Sequence, residues 1–386
     1  MVAAGEALGH RKLIGFDMGG TSTDVAHYAG ELELAAENMV AGVRVAAPMM
    51  QIHTVAAGGG SICSFDGARF RVGPHSAGAN PGPACYRKGG PLTVTDCNLV
   101  LGRIDPAFFP HVFGPDGDQP LDRDAARARL EEIAEQMPEP KSLGEIAEGF
   151  LAIAVDNMAN AIRKISVARG HDVTEYALAC FGGAGGLVAG PVAAALDIPR
   201  VLIPMHPGNT CAMGLLMTDM QEDASVAFLA PADGIDLDAL NARFSDMQNT
   251  VSDTLASQGV EPSEVAFTFG ADIRYQGQIH ELTVPFETYP VTGEELQGVF
   301  EAFEKMYVDI YTISLEDHTP EMTSLRVTGV GSIPQYELAA FGGGGEPKLL
   351  SVWTTLADGE HHRCLVRGIS RYFTFLYKKL NLAIVQ

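Results

Sequence analysis

The segment Asp17-Met18-Gly19-Gly20-Thr21-Ser22-Thr23-Asp24 places two carboxylates, two glycines and three hydroxyls within a few positions of one another. Glycines let backbone N–H groups approach a phosphate closely, and a tight turn aims several of them at one anion. Hydroxyls at Thr21, Ser22 and Thr23 can add hydrogen bonds. A carboxylate at the end of a strand can hold Mg2+, often through water, or take a proton from a nucleophile. The spacing is not that of a Walker A loop, which needs a lysine before the Ser or Thr. The same residues also suit a plain hairpin, with Asp and Thr as turn formers.

A second glycine cluster, Phe181-Gly182-Gly183-Ala184-Gly185-Gly186, lies between an apolar run and an alanine-rich stretch. It fails the dinucleotide fingerprint, because counting from Gly183 puts Val188 at the sixth position. What remains is a glycine turn at a helix start, able to let a flat ring or a phosphate lie against backbone, or to let helix and strand pack closely. A third segment, Gly73 to Tyr86 (GPHSAGANPGPACY), is a stiff loop whose polar candidates are His75, Asn80, Cys85 and Tyr86. Cys85 as a nucleophile would need a paired base. A fourth, Asp272 to Glu281, offers His280 and Glu281 as metal ligands, acid–base groups or plain strand-edge surface residues.

The elements that must position these groups follow from periodicity and punctuation. Lys12 to Phe16 predicts a strand feeding the first glycine turn, and Val25 to Tyr28 the returning strand. From about Met50 to Tyr86 so much Gly and Pro predicts loop. Asp122 to Gln136 predicts a helix. Ser142 with Glu145 is a capping-box pair opening a long helix with an apolar stripe through Ile165, closed by Gly170. Tyr176 to Phe181 and Arg200 to Ile203 predict buried strands flanking a helix over Leu187 to Leu196. This strand–turn–helix–strand order implies parallel pairing and an α/β class. Beyond Glu222 the text predicts a helix near Leu237 to Leu255, strands near Val265 to Tyr275 and Glu281 to Pro285, a helix from Thr292, and a strand near Leu325 to Val330: a smaller α+β segment.

The 386 residues carry 26 Lys and Arg against 48 Asp and Glu, a formal net charge of −22. So acidic a surface repels phosphate backbones and anionic lipid heads, which argues against nucleic-acid and membrane partners. No apolar run reaches the roughly 18 residues of a membrane span, and the opening MVAAGEALGH lacks the features of a secretion signal. Six scattered cysteines without metal spacing suit reduced thiols in a cytoplasmic protein.

Seven segments in order resemble the hydantoinase A / 5-oxoprolinase family, which includes related subunits of ketone carboxylases: DMGGTSTDV (17–25), TVAAGGGSI (54–62), GPHSAGANPGPACY (73–86), TVTDCNLVLGR (93–103), RKISVARGHD (163–172), FGGAGG (181–186) and RYQGQIHELTVP (274–285). The resemblance covers about residues 12 to 335. It implies an actin-like, ribonuclease-H-like ATPase fold in which two such domains clamp ATP. It implies phosphate contacts from Gly19, Gly20, Thr21, Ser22 and Thr23, an adenosine side at Gly182, Gly183 and Gly185, Mg2+ at Asp17, and catalytic roles for Asp17 and Asp24. The implied activity is ATP-dependent hydrolysis of a cyclic amide of the hydantoin or 5-oxoproline type. An amide oxygen is a poor leaving group, and phosphorylation converts it into a good one. A subunit of an ATP-dependent ketone carboxylase and a catalytically incomplete, partner-binding chain are the alternatives.

Three departures from the family text shape the expectations. The family's upstream DxGGTxTD-type motif is not in this sequence, so a separate N-terminal half, together with a second large subunit, is expected as partner; a homo-oligomer remains open. Many relatives carry a His just after the second glycine turn, where this chain has Gly186-Leu187-Val188-Ala189. The text after about Phe341 does not resemble the family's ending. The expected organisation is an ATPase domain over 1–222, an α+β segment over 223–340 and an atypical tail over 341–386.

Overall fold

The computed structural model describes residues 1–6, 8–35, 38–40, 43–45, 49–204, 206–315, 318–332, 349–355, 361–367 and 383–384. The chain divides into two compact units, Met1–Met213 with Phe341–Gln386, and Gly214–Ala340.

The first unit is built on a mixed sheet. Strands β1 (Leu13–Met18) and β2 (Thr23–Tyr28) form an antiparallel hairpin, and β3 (Ile52–Val55) pairs antiparallel with β2. A separate hairpin, β4 (Ser61–Phe65) with β5 (Phe70–Ser76), follows. This corrects the expectation of loop over 50–86. The Gly and Pro at 73 and 74 sit within β5, where the ladder has one neighbour and a register shift. Strands β6 (Ala177–Phe181) and β7 (Arg200–Ile203) then extend the main sheet in parallel from β1. The two-residue strand Ala383–Ile384 adds in parallel to β7.

One face of this sheet is closed by a helix, Leu143–Ile165, started by a reciprocal capping box between Ser142 and Glu145. Ile146, Ala147, Phe150, Ala154, Met158 and Ile162 recur at helical spacing and are fully buried, in one cluster with Ile14, Phe16, Met18 and Val25. A short helix, Val94–Val100, also carries a capping box, from Thr93 and Asp96. Asp96 is fully buried, and its carboxylate accepts from the backbone N–H groups of Ala84, Cys85 and Thr93 and from the Thr93 hydroxyl. These bonds pin the stiff loop that ends at Tyr86 to the helix start. The alanine-rich helix begins at Ala189, two positions later than expected, because Gly185–Leu187 forms a 3-10 turn first.

The second unit is a four-stranded antiparallel sheet. Its strands are β8 (Met220–Pro231), β9 (Val265–Tyr275), β10 (Leu282–Phe286) and β11 (Pro320–Gly331), in the order β8-β11-β9-β10. Helices Leu237–Ser257 and Gly293–Tyr311 place Leu240, Phe244, Val251, Val299 and Phe303 in one core with Phe269, Ala271, Ile273 and Val327 of the sheet. On the opposite face of β9, Asp272 is only 3% exposed. Both its oxygens accept from Arg326 Nε, at 2.8 and 2.9 Å, and it also accepts from the Thr283 and Ser324 hydroxyls. Burial alone would raise its pKa, but the Arg326, Ser324 and Thr283 bonds outweigh burial and hold it below the usual range.

A carboxyl whose pKa is lowered by folding contributes stability above its unfolded value of about 3.9, and that contribution is lost as pH falls toward the folded value. Asp272→Asn is therefore expected to cost about 2 kcal/mol at neutral pH, a figure moderated by the partial exposure of Arg326. The penalty should shrink as pH drops below about 4. Urea denaturation of both chains at neutral and acid pH measures it, and a penalty independent of pH would contradict the ion-pair account.

Candidate active site

The end of the main sheet where β1 hands over to β2 gathers three glycine turns. In the hairpin, Gly19 N donates to Ser22 O at 3.0 Å. Gly58–Gly60 lies against it: Gly59 N donates to Gly19 O at 3.1 Å and Gly60 N to Gly20 O at 2.6 Å. From the other side, Ala184 N of the 181–186 turn donates to Met18 O at 3.0 Å, and Gly182 N donates to Pro207 O at 2.8 Å. The stiff loop joins through Ala77 N, which donates to Gly60 O at 2.8 Å, and Thr95 donates to Gly59 O through both its N–H and its hydroxyl.

Asp17 and Asp24 are directly opposed across the β1–β2 ladder, so both carboxylates leave the same face. Like charges so placed repel unless something compensates them. Thr54 Oγ1 donates to Asp24 Oδ1 at 2.5 Å, and Cys211 Sγ donates to Asp17 Oδ2 at 3.0 Å. That hydrogen bond first, then burial and the charge of Asp17, push the Cys211 thiol up to about 11. Two opposed carboxylates that already draw in neutral donors are a donor set suited to a hard divalent cation.

The glycines at this end have three distinct physical reasons. Gly182 has φ +84°, and a Cβ there would lie 2.4 Å from both Asp17 Oδ1 and Met18 O. Gly58 would put a Cβ 2.7 Å from the Thr21 carbonyl carbon, and Gly185 one 2.8 Å from Cys180 Sγ. These positions need glycine for backbone shape or close packing. Gly19, Gly20 and Gly183 do not. Their φ values are ordinary, and a Cβ at Gly20 or Gly183 would meet no atom within 4 Å.

The expected hydroxyls separate as well. Thr21 is exposed and Ser22 half-buried, both at the turn. Thr23 is fully buried on the opposite face of β2 from Asp24, and its hydroxyl donates to Ala57 O. The Thr23 hydroxyl, expected to hold phosphate, thus ties the hairpin to the segment just before Gly58. Cys85 is buried, and burial followed by the Asp96 charge drives its pKa far upward, which removes it as a nucleophile. His75 and His280 are exposed and do not join this end of the sheet by any described bond. Gly58–Gly60, Thr95 and Cys211 were not among the expected site residues. Only the glycine run at 58–60 carried a sequence signal.

Residues 1–224 match the family model Hydantoinase/oxoprolinase, and residues 235–333 match Hydantoinase/oxoprolinase C-terminal domain. The chain belongs to the hydantoinase/oxoprolinase family. It is 39% identical over 332 residues to 5-oxoprolinase 1 of Arabidopsis thaliana, a match covering 83% of this chain and 26% of that protein. The chain thus spans about a quarter of the length of that curated relative. Among solved structures it resembles the nucleotide-free acetone carboxylase, with a TM-score of 0.74 at 22% identity, over 87% of this chain and 48% of that one. It also resembles the ATP-dependent caprolactamase of Pseudomonas jessenii, with a TM-score of 0.64 at 28% identity, over 94% of this chain and 53% of that one. Among the described residues no helix is long and apolar enough to cross a membrane.

Two predictions separate scaffold from site. Gly182→Ala is expected to destabilise the first unit by about 2 kcal/mol or more, from the left-handed backbone and the clash with Asp17. Gly20→Ala should change stability by less than about 0.5 kcal/mol. Thermal or urea unfolding of the two variants should differ accordingly, and equal losses would refute the distinction. Separately, Asp17→Asn removes the carboxylate whose hydrogen bond, and after burial its charge, raise the Cys211 thiol. Alkylation of Cys211 at neutral pH, followed by peptide mass spectrometry, should then quicken about tenfold or more; an unchanged rate would show that the thiol is not governed by Asp17.

Proposed function

We propose that this chain supplies a nucleotide-binding half of an ATP-dependent enzyme that opens a cyclic amide of the hydantoin or 5-oxoproline type. The fold we assign to its first unit is the actin-like, ribonuclease-H-like ATPase fold. The observation that carries the reading is the convergence of the hairpin, Gly58–Gly60 and the 181–186 turn around Asp17, with Gly19, Gly20 and Gly183 left without side chains that neither backbone nor packing forbids. Open glycine backbone beside a strand-end carboxylate suits a polyphosphate.

In this reading Gly19, Gly20, Thr21 and Ser22 hold phosphate, and Gly183 leaves room for the adenosine side, with Gly182 and Gly185 shaping the turn beneath it. Asp17, opposed by Asp24, would hold Mg2+, which when bound offsets phosphate charge. The chain's own residues do the positioning. Thr54 orients Asp24, Cys211 orients Asp17, and the Gly58–Gly60 run keeps the hairpin at a fixed height. In this reading the γ-phosphoryl group passes from ATP to the amide oxygen with release of ADP; water adds at the same carbon, the C–N bond breaks as the ring nitrogen takes a proton, and the acyl phosphate so formed is hydrolysed to carboxylate and phosphate. The relatives' names, 5-oxoprolinase and ATP-dependent caprolactamase, support an amide ring as substrate. An N-terminal half and a second large subunit are the proposed partners.

The test is ATP turnover by this chain alone, then with the N-terminal half and second subunit of a relative added, each with 5-oxoproline and hydantoin. Activity on addition is the expected result, with Asp17→Ala lowering turnover about a thousandfold while the fold persists. Undiminished turnover in Asp17→Ala would reject the site. Turnover absent in every combination would favour a partner-binding chain without chemistry of its own.

A further inference from the structure

Away from the glycine turns, a second group of titratable side chains meets on the helix-covered face of the sheet. His27 lies on β2 opposite Ile14 and is 5% exposed. Its Nδ1 is 2.5 Å from Glu33 Oε1, and its Nε2 is 2.8 Å from the Tyr176 hydroxyl. The His171 ring stacks on it with centroids 4.1 Å apart, and His171 Nδ1 is 3.5 Å from the same hydroxyl. Arg169 Nη1 donates to the other Glu33 oxygen at 2.7 Å. One donor atom from each of His27, His171 and Glu33 lies within 4.8 Å of the other two.

We propose that His27, His171 and Glu33 form a binding site for one transition-metal dication of the zinc class. Two imidazoles with one carboxylate select zinc, cobalt or nickel over magnesium or calcium, which prefer all-oxygen shells. The donors come from three separate segments, the strand β2, the turn after it and the loop after the long helix, so the chain brings them together only by folding.

The surroundings are those of a ligand set. With the ion on Nδ1, the Nε2–H donates to the Tyr176 hydroxyl, the kind of outer partner that fixes tautomer and ring orientation. Arg169 occupies Oε2 of Glu33, which leaves Oε1 facing Nδ1. In the metal-free arrangement a proton bridges Nδ1 and Oε1. An ion bonded at about 2.0–2.2 Å to each would take that proton's place as the imidazole N–H shifts to Nε2 and the Tyr176 hydroxyl turns to accept it, parting Nδ1 and Oε1 by roughly 1 Å and drawing His171 in. The fourth position is left to water. The site would clamp the turn after β2 and the loop carrying Arg169 and His171 onto the sheet.

The test uses the full chain, dialysed against Zn2+ and assayed for bound metal, with Co2+ as a spectroscopic probe. The expected result is one equivalent of zinc and the strong visible absorption of tetrahedral cobalt. His171→Gln and Glu33→Gln, at half-buried rather than core positions, should each weaken binding about tenfold or more. Cys211→Ser, which removes the exposed thiol at the glycine end, should leave it unchanged. Absence of bound metal, or binding that survives both His171→Gln and Glu33→Gln, overturns the proposal. The cluster would then be a hydrogen-bonded latch, or the metal would sit elsewhere.

Discussion

The first unit depends on backbone meeting backbone at the glycine end of the sheet. Gly58–Gly60 runs so close beneath the β1–β2 hairpin that Gly60 N reaches Gly20 O at 2.6 Å, and a Cβ at Gly58 would strike the Thr21 and Ser22 backbone. Such contact is open only to glycine. Everything else at this end is referenced to it: Thr95 holds Gly59 O, Ala77 holds Gly60 O, and the 73–86 loop is held in turn by Asp96. The bonds from Gly59 N, Gly60 N, Ala77 N and Thr95 N join backbone to backbone, so that part of the arrangement depends on no side-chain rotamer.

The second constraint is electrostatic. Placing Asp17 directly across from Asp24 sets two like charges on one face, an arrangement a fold gains nothing from on its own. The local answers are weak neutral donors, a threonine hydroxyl and a thiol, and no cation is bonded to either carboxylate among the described residues. The contrast with Asp272 is instructive. There the same side chain, on a sheet face and more deeply buried, is matched by Arg326 and two hydroxyls. Asp272 is satisfied by an arginine of the chain and serves the fold, whereas Asp17 and Asp24 have only a thiol and a hydroxyl, the difference on which the proposed cation site rests.

How far the sequence exposed this depends on the range of each interaction. The helix Leu143–Ile165 was legible because its cap is a contact over three positions and its stripe repeats over many turns. The short helix Val94–Val100 was not, although its Thr93–Asp96 cap has the same chemistry, because it is too brief to show a period. Strand β8 alternates, but Glu222 interrupts its inward row of Met220, Ala224, Val226 and Phe228 while Leu229 faces outward, so the signal is faint. Strand β5 was hidden by its own Gly and Pro. At the site, Asp17, Gly20 and the 181–186 turn were legible from local composition. The thiol of Cys211, 194 positions from Asp17, and the Tyr176 hydroxyl, 149 from His27, could be placed only by the fold.

The glycines carry the last step. Sequence alone treats Gly20, Gly58, Gly182, Gly183 and Gly185 as one class, since each marks a turn. In space they divide by what a methyl group would hit: backbone for Gly58, the Asp17 carboxylate for Gly182, a core sulfur for Gly185, and nothing for Gly20 and Gly183. The first three answer the question of how three turns can touch. The last two cost the chain conformational entropy without return in packing or backbone geometry, because any L-residue could adopt their φ. Under the proposed function, a position that forgoes stability for open space where three turns converge, beside two carboxylates held only by a hydroxyl and a thiol, is explained by a ligand whose bulk passes where a side chain would stand.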